Sequence, residues 1–337
     1  MDESRRHAAG PHDQLFKRIF RKPAEARALI RAALPASVLE HLDLRTLKPA
    51  RGEFLNALFK LRAADLLFAT RLRGRPAIVW LLFEHKSGIH SSLALQLLNY
   101  VVLLLDAWER KYGAKLLPFI LPIVVHHGRH PAPEIVSLED RFDGGAAPEL
   151  LPWMPSFRVP VFDLNRIRVD ELVAHIGPMS ERAAVALALM KSIWNDGITD
   201  VLKKLGPLLR AVHEGDVDDA LQVLIRYVLV AAPQPPPIDE LREVMANEVH
   251  PETEEVVMTL AEQLRREGRE QGREQGREQG REEGARAEAE ETLLCILNLR
   301  FGAPDANTVS RVSEASLDEL RRWRDAAVVV GTLEDVF

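Results

Sequence analysis

Cysteine is nearly absent: Cys295 stands alone in 337 residues, which excludes a disulfide framework and a multi-cysteine zinc site within one chain. A reducing, cytoplasmic setting is the expectation that follows. Long apolar runs are missing as well. Leu97–Leu105 and Leu116–Val125 are each too short to span a bilayer, and Pro118 and Pro122 interrupt the second. Residues 1–12 are polar and mixed in charge, so no secretory leader and no membrane association are predicted. The chain also lacks a global excess of positive charge. With a net charge of −6, any contact with nucleic acid must come from a local basic patch. Apolar residues make up 47% of the chain, enough for a sizeable core, so global disorder is excluded.

What is present centres on Arg62–Ser87, RAADLLFATRLRGRPAIVWLLFEHKS. Two apolar runs rich in β-branched and aromatic residues, Ala64–Leu72 and Ala77–Phe83, flank Gly74-Arg75. The pattern predicts a β-hairpin with a type II′ turn centred on that pair. Paired positions then sum to 149, which sets Asp65 opposite Glu84 with Cβ atoms roughly 5 Å apart. Lys86 shares the strand face of Glu84 by period-two alternation. Two carboxylates that close repel unless a cation or proton lies between them, so the constellation suits a divalent metal with a lysine beside it. Two carboxylates holding Mg²⁺ or Mn²⁺ polarise a phosphodiester and lower the pKa of bound water. The bland reading is a surface hairpin with an ordinary ion pair. Against it, Leu81-Leu82-Phe83 drives the strand into a core, where an incidental charge is costly.

Around the hairpin, residues 1–10 read as a loose leader. Pro11-His12-Asp13 opens a helix with an apolar stripe of Leu15, Phe16, Ile19 and Phe20, in which Asp13 serves as N-cap, first-turn acid or catalytic acid. A second helix is predicted over Pro23–Leu34, while periodicity leaves residues 38–61 open between helix and strand. Ser91–Tyr112 reads as a long helix, with Gln96 and Tyr100 one turn apart on one face. These two either position a nucleic-acid strand, or Tyr100 packs and Gln96 is solvated. KLLPFILPIVVHHG predicts a strand buried on both faces and ending at His126-His127-Gly128. Phe157–Leu164 predicts a short strand near an edge, because Pro160 cannot donate to a ladder. Arg71, Arg73 and Arg75 form a basic cluster at the hairpin tip, for phosphate contact or plain solvation.

Helical patterns fill Asp170–Val230, and the proline-rich 233–237 reads as a stiff break. The organisation that follows is a mixed α/β domain over 11–232, a linker and helical connector over 233–267, a repeat over 268–284 and a small helical domain over 285–337. In the repeat, Gly268, Gly272, Gly276, Gly280 and Gly284 recur every four residues within GREQGREQGREQGREEG. Its four arginines are offset by five glutamates, so it is no basic arm. Glycine disfavours an isolated helix. Yet a glycine row lets a second helix approach closely, which points to homo-oligomerisation or a spacer.

The blocks HDQLFKRIF, RAADLLF, FEHKS and LALQLLNYVV, taken in order, resemble the Rpn family of recombination-promoting nucleases, transposase-like members of the PD-(D/E)xK nuclease superfamily. The repeat and the ending LNLRFGAPD…LDELRRWRDAAVVVGTLEDVF resemble segments often appended to that family. The resemblance implies a restriction-endonuclease-like α/β fold, a mixed sheet flanked by helices, followed by a helical C-terminal tail. It implies Mg²⁺ (or Mn²⁺) held by Asp65 and Glu84, Lys86 as the superfamily lysine, and DNA as substrate in recombination or mobile-element biology. Gln96 and Tyr100 are similar to a Q-x-x-x-Y helix element of some superfamily nucleases, and Asp13 matches the family's first-helix acid. Two departures stand out: alanine precedes Asp65 where the motif has proline, and Lys86 stands where the family commonly has glutamine. Two alternatives stay open, an inactive DNA-binding scaffold and a nuclease acting on RNA.

Overall fold

A computed structural model describes residues 10–50, 66–84, 90, 92–113, 116–142, 148–194, 197–215 and 219–337, with only the backbone described at 83, 84 and 151. Among these, the order is α1 (Pro11–Phe20), α2 (Pro23–Ala33), α3 (Ala36–Leu39), β1 (Leu42–Pro49), β2 (Leu66–Leu72), β3 (Arg75–Glu84), α4 (Leu93–Tyr112), β4 (Phe119–His126), β5 (Ile135–Ser137) and β6 (Arg158–Asp163). Then come α5 (Val169–Ile176), α6 (Glu181–Ser192), α7 (Ile198–Lys204), α8 (Gly206–Glu214), α9 (Ala220–Ala231) and α10 (Ile238–Glu248). The chain continues as α11 (Thr253–Phe301), α12 (Ala306–Glu314) and α13 (Leu317–Val329). Packing divides it after Ala261.

The first unit is built on a mixed sheet in the order β1-β2-β3-β4-β6-β5. The β1-β2-β3 part is antiparallel, β3-β4-β6 is parallel, and β5 returns antiparallel at the edge. Between Arg75 and Glu84 strand β3 is apolar because it is covered twice. Ile78, Trp80 and Leu82 pack beneath α4 with Leu93, Leu97, Val101 and Leu104. Val79 and Leu81 face the larger core built from α1, α2 and the helices after β6. A buried strand of that kind carries no period-two signal.

The hairpin is tighter than its sequence suggests. Leu66 pairs with Leu81 and Leu72 with Arg75, so partners sum to 147 rather than 149. Arg73 and Gly74 occupy the turn with φ of 48° and 78°. Positive φ at both central positions defines a type I′ turn, whose twist matches the flanking strands. Arginine accepts that conformation because its N–H donates to the His41 carbonyl at 2.8 Å and its guanidinium reaches His41 Nε2 at 2.6 Å. The expected pairing of Asp65 with Glu84 belonged to the other register, and Asp65 itself lies outside the described residues, as does Lys86.

Strand β6 lies near the edge, as its proline predicts, with only β5 on its outer side. The β4–β6 ladder begins only at Val124 and Val161, so Pro122 and Pro160 both fall before it, where one side of each strand is open. A residue without an N–H donor is tolerated there. The stretch left open by periodicity contains β1 over its first half. The helix α10, after the proline-rich break, buries Leu241, Val244 and Met245 in the first unit's main core.

The second unit has its own core of Ala289, Leu293, Leu297, Val312, Leu320, Ala327 and Val336. Arg286 donates to the Ala315 carbonyl and Arg300 to that of Ala327, tying α11 to the two short helices. Ser316 and Glu319 form a capping box at the start of α13. The glycine repeat lies inside helix α11.

Candidate active site

Three strand positions line up at the carboxyl end of the parallel ladder. Glu84 is the Cα partner of His126, and His126 of Asp163. In open α/β sheets this end of the strands is where ligands gather. Asp163 is buried, yet it offers nothing to a ligand. Its Oδ2 accepts from Ala132 N at 2.8 Å and lies 3.7 Å from Arg166 Nε, while Oδ1 accepts from the amide and side chain of Asn165 at 3.0 and 3.1 Å. It therefore fixes the loops after β4 and β6. Lys191 sits close by, donating to the carbonyl of Leu164 at 2.9 Å, and burial lowers its ammonium below the usual lysine range.

His126 is fully buried. Its Nε2 donates to the His130 carbonyl at 3.0 Å, and Nδ1, also buried, has no hydrogen-bond partner among the described residues. An unsatisfied buried nitrogen costs about 1–3 kcal/mol unless another group completes it. The neighbouring ladder position is Glu84.

On the other sheet face, His127 joins an aromatic cluster that sequence reasoning missed. Its ring lies 4.7 Å from His12 and 5.5 Å from Trp194, and its Nε2 bonds the Met190 carbonyl. The Tyr227 hydroxyl, held protonated by burial, donates to His12 Nδ1 at 2.9 Å. A separation of 215 residues divides those partners, and no local spacing announces them. The two adjacent histidines thus serve opposite faces, as strand alternation requires. Through His12, the start of α1 is pinned to the end of β4.

Asp13 follows His12 in the first turn of α1, three residues after the N-cap Gly10, which favours the helix-dipole role. It is half-buried and lines a cleft of about 520 Å³ between α1 and α9. Lys17, Arg18, Arg21 and Arg226 share that cleft over an apolar floor of Leu15, Val223 and Val230. On α4, Tyr100 meets Trp80 edge-on at 5.7 Å, and exposed Gln96 donates to Ser92 Oγ at 3.1 Å. Tyr100 is thus part of the packing. Since α4 runs back from the carboxyl end of β3, Gln96 is one turn nearer that end. The hairpin arginines are remote from it. Arg75 and Glu84 begin and end β3, which at about 3.3 Å per residue puts them roughly 30 Å apart. Arg73 is engaged with His41, and Arg75 lies over Phe119 at 5.6 Å.

A family model described as "Putative transposase, YhgA-like" matches residues 10–219, more than half of the chain and the whole sheet. Among curated relatives, the recombination-promoting nuclease RpnA of Escherichia coli K12 is 27% identical over 266 residues, covering 79% of this chain and 87% of that protein. RpnE of the same strain, named an inactive recombination-promoting nuclease-like protein, is 24% identical over 77% of this chain and 83% of its own length. The nuclease RpnC is 27% identical over 61% of this chain and 65% of its own. No solved structure matches.

Proposed function

Because the chain belongs to the YhgA-like transposase family, we propose that it is a metal-dependent endonuclease that hydrolyses phosphodiester bonds in DNA during recombination. The observation that carries the reading is the position of Glu84, the last residue of an apolar central strand at the carboxyl edge of the parallel ladder. In this reading Asp65 and Glu84 hold Mg²⁺, with Mn²⁺ as a substitute. The donor chemistry fits, since carboxylate oxygens suit a hard divalent cation. Asp163, the other carboxylate of the row, is used up by protein donors and is no competitor. When bound, the ion supplies charge neutralisation at the phosphate and an acidified water.

Lys86 orients the attacking water or stabilises charge on the pentavalent phosphate. Gln96 lies on the exposed side of α4 toward the same end and positions the strand, with Tyr100 behind it fixing the helix against Trp80. The basic cleft of α1 and α9 supports DNA as substrate, since four cationic side chains around one acid suit a phosphodiester backbone.

The test is cleavage of supercoiled plasmid. Wild type should nick or cut with Mg²⁺ and stop with EDTA, and Glu84→Ala should lose on the order of 100-fold or more in rate. Asp65→Ala and Lys86→Ala should fail likewise. Wild-type cutting by Glu84→Ala would sink the site assignment. The relative named inactive favours a second reading, a DNA-binding scaffold that keeps the fold. DNA binding without cleavage of DNA or RNA would select it, and cleavage of RNA alone would reassign the substrate.

A further inference from the structure

Away from the sheet, three ligand-type side chains converge where α8, α10 and α11 meet. His213 is in the last turn of α8, while His250 and Glu252 lie in the short connection between α10 and α11. The two imidazoles stack, with centroids 5.3 Å apart and planes 28° from parallel. His250 Nδ1 lies 3.8 Å from a Glu252 carboxylate oxygen. One donor atom from each of the three residues falls within 4.8 Å of the others.

The backbone around them is firmly held. Arg210, one turn before His213, donates to the carbonyls of Glu248 at 2.9 Å and Val249 at 3.3 Å. Fully buried Thr253 donates through both its amide and its hydroxyl to the His250 carbonyl, at 3.0 and 2.6 Å. Gly206 opens α8 in close contact with Glu248, where a Cβ would come within 3.1 Å of that side chain. The junction therefore fixes where the three side chains originate, with His250 and Glu252 exposed and the Glu252 N–H donating to His250 Nδ1 at 3.4 Å.

We propose that His213, His250 and Glu252 form a binding site for a zinc-class divalent ion, independent of the nuclease centre. Two imidazole nitrogens and one carboxylate are a borderline donor set that suits zinc, cobalt or nickel, whereas Mg²⁺ and Ca²⁺ favour oxygen alone. Donors at about 2.0–2.2 Å from one ion require the exposed pair to rotate inward. Three protein ligands leave a coordination position for water. Bound there, the ion bridges the end of α8 to the connection leading into α11 and stabilises the first unit by mass action. The ordinary alternatives, a histidine on a helix dipole and a His–Glu pair, need no ion.

The experiment uses untagged full-length protein, stripped with chelator and dialysed, titrated with zinc chloride by calorimetry and with Co²⁺ by visible spectroscopy. Wild type should bind one zinc per chain at this site, show the d–d bands of a nitrogen–oxygen cobalt site and melt at a higher temperature with zinc. His213→Ala and His250→Ala should each weaken that binding by at least about tenfold and abolish the cobalt bands. His250 is exposed, so metal-free melting of His250→Ala should match wild type. Glu84→Ala should retain the zinc signal, which separates this site from the nuclease reading. Equal zinc uptake by the two histidine variants, or no uptake by wild type, would overturn the proposal.

Discussion

Glu139 illustrates how far a surface carboxylate is shifted by the donors around it. The hydroxyls of Ser156 and Ser137 and the Arg158 guanidinium converge on it, and their hydrogen bonds push its pKa down to about 2 from an ordinary 4.5. A carboxyl lowered on folding adds stability above its unfolded pKa and loses it as pH falls through the folded one. That contribution is therefore complete above pH 4.5 and gone near pH 2. We expect Glu139→Gln to flatten this part of the acid limb when urea midpoints are followed from pH 5 to pH 2. An unchanged limb would mean that the network adds nothing to folding. Asp163 is the buried counterpart, a carboxylate whose acceptor sites are filled by the chain itself. Asp163 stands in the same row as Glu84, and no residue-type pattern announces in advance that its acceptor sites are filled.

At the scale of elements, the glycine repeat is the clearest place where geometry refines composition. Four residues advance about 400° around a helix, so each glycine is displaced by about 40° from the last and the row slants across α11. A Cβ added at Gly272, Gly276 or Gly280 meets nothing. Replacing all three with alanine should raise helix stability by about 1 kcal/mol per site, read by thermal melting. Should the slanted row be a self-association face, the same variant lowers the mass measured by light scattering; an unchanged mass would remove that role. The long helix α4 and the buried β4 were legible in the sequence because their periodicity or length is unambiguous, whereas the single helix α11 was hidden by the glycines inside it. The hairpin was legible as a hairpin but not in register. The choice between turns depends on His41, a residue far along the chain that holds Arg73 at positive φ. Strand β6 was legible together with its place near the edge, whereas the three-residue β5 outside it carries no signal of its own. The His12–His127–Trp194–Tyr227 cluster was invisible for the same reason: it exists only once α1, β4 and α9 have met.

For the whole molecule, a net charge of −6 works against a polyanionic partner, so productive contact depends on where the cations gather. The α1–α9 cleft gathers four. Lys17 and Arg21 are its exposed members, and Lys17→Ala with Arg21→Ala should weaken DNA binding. Each phosphate contact removed should reduce the slope of log affinity against log salt by about 0.9. An unchanged slope would place the DNA elsewhere. The family match covers the sheet and α1 but ends at residue 219, just short of α9, the other wall of this cleft.

The type I′ turn at Arg73-Gly74 has a consequence for how this chain tolerates changes in length. Adding one residue to either arm would turn every later side chain of β3 to the opposite face, exchanging Trp80 with Leu81 between two cores and moving Glu84 out of its row with His126. Lengthening by one residue on each arm preserves both. The changes in length that keep both cores and the row at the carboxyl edge are therefore those shared by both strands.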